Sequence, residues 1–279
     1  LLMILAIVLF TLMDAIVKGL VSRYPVNQIV FTRFAGQLVI VAILLNRHLP
    51  AMVRTRHPWL HFFRGLTQLG ASAFFFLALT RIGLAEATAL ADINPVLITL
   101  GAALFLGERL GPRRIFGVAL ALIGALIILR PGFGVFTPWA VLPLLGACCY
   151  AANALITRKV GPREPPWPAM FWGAAFCTAI MGLTLPASHV PVANADLPLF
   201  AAVFTLGSAA QLCIIRSFTL AEASVVAPFT YLGIVLATVW GWLFFGNLPD
   251  GLTVLGAVVI IGAGLYVWHR ETQAARQTG

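Results

Sequence analysis

Apolar residues in this chain neither alternate with polar ones nor recur only every third or fourth position. They run on for about 20 residues and then stop. Ten such runs lie near 2–20, 26–46, 59–80, 84–106, 113–130, 138–157, 167–186, 197–217, 222–245 and 251–268. About 20 apolar residues is what a helix needs to cross a hydrocarbon core about 30 Å thick. The breaks carry turn or charge signals such as "SRYP", "RPGFG" and "GNLPDG". The pattern therefore predicts an all-α integral membrane protein with ten transmembrane helices. A membrane β-barrel would show alternating segments of about ten residues, and no such pattern appears. No connection is long enough for a further domain. Residues 1–20 lack the basic start and the small-residue cleavage site of a secretory signal. They are expected to form the first span, in a chain that opens abruptly in apolar sequence, as a trimmed start would.

Composition agrees: 61% of the 279 residues are hydrophobic and 10% charged, against about 45–50% and about 25% in soluble domains. The net charge of +9 does not point to nucleic acid, because the cations lie in short clusters between apolar runs rather than along a stripe. Their distribution orients the chain instead. With the N-terminus in the cytoplasm, Arg47, Arg54, Arg56, Arg109, Arg113, Arg114, Arg158, Lys159, Arg163, Arg216, Arg270 and Arg276 fall inside. Only Lys18, Arg23, Arg81 and Arg130 fall outside. This threefold bias predicts that both termini are cytoplasmic.

Two stretches resemble each other. "LAEATALADINPVLITLGAALFLGERLGPRRIFGVAL" and "LAEASVVAPFTYLGIVLATVWGWLFFGNLPDGLTVLGAVV" share Ala85-Glu86-Ala87 with Ala221-Glu222-Ala223, Gly107 with Gly246, and Gly117 with Gly256. Each covers the fourth and fifth helices of a five-helix half. Five is odd, so the second copy enters the membrane from the opposite side, and two inverted five-helix repeats are expected, over 1–133 and 134–279. Inverted repeats meeting at a midplane site recur among secondary transporters. "INPVLITLGAALFLGERL" and "APFTYLGIVLATVWGWLFFGNLPDGLTVLGAVVI" resemble the EamA family of the drug/metabolite transporter superfamily, over essentially the whole chain. One departure is visible: Gly107-Glu108 in the first copy stands opposite Gly246-Asn247 in the second, which weakens any functional claim for Glu108. The resemblance implies an exporter of amino acids and other small metabolites in the bacterial inner membrane.

Polar residues inside the runs are the candidate site, because a charge at the bilayer centre costs about 2.5–3.5 kcal/mol even on insertion scales. Asp92, Asn94 and Pro95 interrupt the fourth run near mid-depth; Thr88, Asp92, Pro95 and Thr99 follow a helical spacing that puts them on one face, and Pro95 is expected to break the helix there. Pro228 and Tyr231 lie at similar depth in the ninth run. The two prolines are expected to act as hinges at a transport site; the competing account is a pair of ordinary kinks. Asp14 with Lys18, Arg33 with Gln37, and Arg64 with Gln68 stand at i, i+4. Asp14 is either half of an ion pair with Lys18 or a carboxylate that binds a cation or a proton. Arg33 either meets a substrate carboxylate or pairs with Asp14 or Asp92. Arg64, near the cytoplasmic edge, is expected to snorkel to water. Asn153 and Gln211 serve interhelical hydrogen bonds or contact substrate. Phe74, Phe75, Phe76, Tyr150, Trp172, Tyr231 and Trp240 are deep aromatics able to line an apolar cavity. Gly117 with Gly124, and Gly256 with Gly262, are plausible helix-contact strips.

No Walker A, HExxH or GxSxG pattern occurs, and the four cysteines show no metal-ligand spacing. The expectation is thus a secondary transporter, not an enzyme, with no cofactor or metal. It works as a monomer in the lipid bilayer by alternating access on an amino acid or similar solute. The alternatives are a proton-coupled exporter of cationic drugs exchanging at Asp14, and a membrane-embedded enzyme or scaffold.

Overall fold

A computed structural model describes residues 1–49, 53–55, 57–106, 112–129, 137–160, 166–220 and 227–278. The described residues are helical throughout, without strands. The α-helices are α1 (Leu2–Leu20), α2 (Val26–Leu45), α3 (Pro58–Leu79), α4 (Leu84–Ala91), α5 (Asn94–Leu106), α6 (Pro112–Leu129), α7 (Val141–Val160), α8 (Pro166–Thr184), α9 (Leu197–Leu220), α10 (Leu232–Phe245) and α11 (Gly251–Thr278). Helices α4 and α5 are two parts of one run, so the described helices make ten passes of the bundle. Among the described residues, six helical stretches are long and apolar enough to cross a membrane: Leu2–Leu20, Val26–His48, Pro58–Leu79, Pro138–Thr157, Trp167–Ala187 and Asn194–Ile214. Large apolar side chains such as Ile43, Leu104, Phe105, Ile123 and Val258 stay more than half exposed, which a lipid environment explains and water does not. The expected boundary at 133/134 and the motif residues Gly107, Glu108, Ala221, Glu222 and Ala223 lie outside the described residues.

The connections following α1, α3, α8 and α10, with Leu129 at the end of α6 and Thr137 ahead of α7, gather at one end of the bundle, here the Arg23 end. The side chain of Lys18 donates to the carbonyls of Leu79 and Ile82, both at 2.6 Å, closing the last turn of α3. Arg81 lies over the Trp139 ring at 5.0 Å. The other end is the Arg47 end, where Met3 and Ile7 of α1 pack with Ile214 of α9 and with Leu232 and Leu236 of α10.

Two cores fill the bundle. One joins α1, α2, α3, α8 and α9 around Met13, Phe34, Phe76, Ala174 and Val203. The other joins α4, α5, α6, α7, α10 and α11 around Leu90, Val96, Ala121, Ala147, Ile234 and Ile260. Lipid tails are as apolar as leucine, so close van der Waals packing through small residues must hold such helices together. The crossing of α6 and α11 shows this. A Cβ on Gly256 would stand 2.6 Å from the carbonyl oxygen of Gly124, and a Cβ on Gly124 would stand 2.9 Å from that of Gly256. Gly117 is buried on the same helix. A Cβ on Gly262 would meet nothing within 4 Å, so the expected Gly256–Gly262 strip is corrected to a Gly124–Gly256 contact. Gly256→Val should push the two backbones apart at a cost of about 1–3 kcal/mol. The apparent melting temperature in detergent should fall by about 3–8 °C, while Gly262→Ala leaves it unchanged.

Gly246 ends α10 with φ of 65°. In this left-handed cap the Gly246 N–H donates to Trp242 and the Asn247 N–H to Gly241, a backbone conformation that glycine adopts without a Cβ penalty.

Candidate functional site

The fourth span breaks where its sequence turns polar. Helix α4 closes with the Asp92 N–H donating to the Thr88 carbonyl at 2.9 Å, and α5 opens with the N–H groups of Val96 and Leu97 both donating to Ile93. Pro95 takes the second position of α5, where its missing N–H costs no intrahelical bond. The break falls where Pro95 was expected to interrupt the helix, and it divides the face that Thr88, Asp92, Pro95 and Thr99 were expected to share. Thr88 turns back onto the Leu84 carbonyl, and the Thr99 side chain lies outside the described residues. In the ninth span a 3-10 turn, Ala227–Tyr231, carries Pro228 ahead of α10.

Among the described residues, buried side-chain atoms within the spans that have no hydrogen-bond partner include Asp92 Oδ2 and Asn94 Oδ1 at this break, and Arg33 Nε and Gln68 Oε1 on α2 and α3. Leaving such an atom unmet costs about 1–3 kcal/mol, and native proteins leave few. The charged residues share a layer. Counting 1.5 Å per residue from the helix ends at the Arg23 end, Asp14, Arg33 and Asp92 lie about 9, 10 and 12 Å deep.

Arg33 is enclosed by aromatic rings, with Asp14 within electrostatic reach but not in an ion pair. Its guanidinium lies 5.8, 5.2 and 5.4 Å from the ring centres of Phe10, Phe34 and Phe76, and Nη1 donates to the Ser72 hydroxyl at 2.9 Å. Among the described residues it forms no ion pair with Asp14 or Asp92; the one ion pair there is Arg23–Asp196. The Asp14–Lys18 pair is likewise absent, because Lys18 is committed to the end of α3. Asp92 Oδ2 lies in the groove where α1 meets α10: a Cβ on Gly233 would be 3.9 Å from it and equally close to Thr11. The Trp240 indole donates to Thr11 at 3.1 Å, binding the same two helices.

Tyr150 marks open space inside the bundle. Neighbours on α7 fix its direction: Gly146 and Asn153 meet α3, Ala147 belongs to the α4–α11 core, and Leu155 meets Gly101 of α5. At 100° per residue Tyr150 points between α3 and the α4–α5 break. It faces well away from the exposed Leu145 and Cys148. It is nevertheless 47% exposed and within electrostatic reach of Asp92. Sequence reasoning grouped it with the deep aromatics without singling it out, and it missed Ser72, although Ser72 extends the Arg64–Gln68 spacing by one more step of four.

Other candidates lie elsewhere. The Asn153 amide donates to the Arg64 carbonyl at 2.8 Å, an interhelical bond between α7 and α3. Tyr231 is buried in the α4–α11 core, with its hydroxyl against Gly264 of α11. Gln211 is half-buried on α9. Arg64 does not snorkel: it is 8% exposed, with Nε unpaired. Cys177 is a buried small residue that donates to the Gly65 carbonyl at 3.3 Å. A separate cavity of about 350 Å³ at the Arg23 end is lined by the 83–86 turn, Leu129 and the 247–253 turn, and includes none of the candidate residues.

A ten-span helical bundle with a charged, partly accessible seam at depth defines a multi-pass membrane transporter rather than a receptor for a surface ligand. The chain belongs to the EamA-like transporter family, whose sequence profile matches residues 1–130 and 137–268. Similar proteins include a riboflavin transporter of Rhizobium johnstonii, 34% identical, the match covering 99% of this chain and 92% of that protein. A pseudopaline exporter of Pseudomonas aeruginosa is 32% identical over 94% of this chain and 93% of that protein. An S-adenosylmethionine uptake transporter of Rickettsia felis is 26% identical over 94% and 89%. A solved crystal structure, 20% identical, superposes with a TM-score of 0.69 over 99% of this chain and 97% of that one, which establishes the shared fold. The protein is a transporter of small metabolites.

Proposed function

We propose that this protein exports amino acids and related carboxylate-bearing metabolites across the bacterial inner membrane. It does so by alternating access between two inverted halves, residues 1–133 and 134–279, with both termini cytoplasmic. The observation that carries the reading is the set of unpaired buried atoms on Arg33, Gln68, Asp92 and Asn94 inside the spans. A guanidinium edge that forms no ion pair among the described residues suits a substrate carboxylate. An unpaired carboxylate and two amide oxygens suit a substrate ammonium.

The packing supports the two-half arrangement, because each major contact has its counterpart five spans away. Helix α3 packs on α7 as α9 packs on α1; α3 packs on α8 as α9 packs on α2; α5 packs on α7 as α10 packs on α1. The pairs α2–α8, α4–α10 and α6–α11 are their own counterparts. Pro95 and Pro228 then stand at irregular turns in corresponding spans and act as the hinges. The positive-inside bias supports a cytoplasmic Arg47 end. Asp14, free of Lys18, supports a second reading in which this carboxylate exchanges a proton or a cation.

Purified protein in liposomes, preloaded with single labelled solutes, tests this. Amino acids should exchange across the membrane, whereas the corresponding amines, which lack the carboxylate, should not. Exchange of amines alone, or no exchange of any solute, overturns the proposal. Asp14→Asn should remove only the dependence on a pH gradient if Asp14 is the coupling group.

A further inference from the structure

Arg64 is a second guanidinium that forms no ion pair among the described residues, and nothing around Arg33 accounts for it. It lies on α3 two helical turns from Ser72, the partner of Arg33, with Gln68 between them. Arg64, Gln68 and Ser72 therefore form a ladder at i, i+4 and i+8 along one face, with rungs about 6 Å apart. Arg64 Nε and Gln68 Oε1 are both buried and unpaired.

The backbone of this turn, in contrast, is fastened from two sides. Asn153 of α7 donates to the Arg64 carbonyl at 2.8 Å, and Cys177 of α8 donates to the Gly65 carbonyl at 3.3 Å. Helix α8 approaches closely only because Gly173 is bare: a Cβ there would stand 2.8 Å from Gln68 Oε1. A rigid frame around two unbonded polar ends is the form of a preorganised binding site. A guanidinium buried for structure alone would be expected to hold a carboxylate, since an unpaired buried charge is strongly destabilising.

We infer that Arg64 and Gln68 form a second station for the anionic group of the cargo, about 12 Å along α3 from Arg33 towards the Arg47 end. The ligand class is a small oxyanion group, a carboxylate or a phosphate. The inference rests on the reading of Arg33 as a carboxylate anchor and adds a step to it: the anion is handed along α3 between the two guanidinium groups, with Gln68 receiving the cargo's N–H donors on the way.

Phenylglyoxal labelling of the full-length protein in liposomes, read at each arginine by mass spectrometry, tests the station. Acetate, phenylalanine, inorganic phosphate and phenethylamine serve as probes. Arg64 should label slowly from water, and about fivefold more slowly with an oxyanion probe at about four times its dissociation constant. Phenethylamine should not protect it. Protection by acetate and phenylalanine but not phosphate identifies a carboxylate station; the reverse identifies a phosphate station. Arg64→Lys should keep exchange with a raised half-saturation, and Arg64→Gln should lose exchange while Arg33 remains protected by the probe. Arg64 that never labels, labels without protection, or is replaced by glutamine without effect overturns the station and leaves Arg33 standing. Protection at Arg64 with none at Arg33 removes the central anchor instead.

Discussion

Replacing Arg33 with glutamine raises the half-saturation concentration for a carboxylate cargo about 10- to 100-fold, the loss expected when a charged hydrogen-bond partner is removed. The effect should be this large because the surroundings offer no substitute cation: Phe10, Phe34 and Phe76 enclose the guanidinium, and Lys18 is committed to carbonyls. Arg33→Lys should recover only part of the affinity. Nη1 is already used on Ser72, so a carboxylate approaches the remaining edge through Nε, and an ammonium cannot reproduce that two-point geometry. Gly207 gives an independent check from across the seam, since a Cβ there would lie 3.5 Å from Nε. Gly207→Val should obstruct the same edge without removing the charge. The measurement is exchange in liposomes against substrate concentration; an unchanged half-saturation in Arg33→Gln sinks the assignment.

The ten helical passes were legible from run length alone, because hydrocarbon thickness sets helix length. The break at Asp92 was also legible, because a charge and a proline in the middle of an apolar run conflict with an uninterrupted helix. Side-chain pairing was not. Asp14 and Lys18 stand at i, i+4, yet the lysine reaches the end of α3 instead, since an open helix terminus attracts a cation strongly. Arg64 was placed near water by its distance from the helix start, but the packing of α7 and α8 around that turn closes the route out. The direction of Tyr150 needed neighbours from α3 and α5 to define it. Of the contacts between residues 24 and 196, far apart in the chain, the sequence carries no local trace at all.

Those contacts underlie the second large effect. The Arg23 end is closed by a polar network that joins the α1–α2 turn to the connection between α8 and α9. Asp196, 5% exposed, accepts from Arg23 Nη1 at 2.6 and 2.9 Å and from the Tyr24 hydroxyl at 2.8 Å. Gln28 both donates to the Val190 carbonyl and accepts from its N–H, and the Asn27 amide reaches the Ser188 hydroxyl at 2.6 Å. A carrier that opens alternately to the two sides must break all of these to open at this end, because they join helices of the two proposed halves. In a background lacking the four native cysteines, Asn27→Cys with Ser188→Cys, joined by a short reducible bifunctional thiol reagent, should abolish exchange. Reduction should restore it. Asp196→Ala acts in the other direction. It leaves the buried Tyr24 hydroxyl unmet while the half-exposed Arg23 turns to water, costing the closed state about 1–3 kcal/mol, and so shifts the population towards the open form by about 5- to 150-fold. A single cysteine at Leu84, buried near this end, should then label faster with an impermeant maleimide. Full exchange by the fully cross-linked protein would show that this end never opens and that transport does not proceed by alternating access.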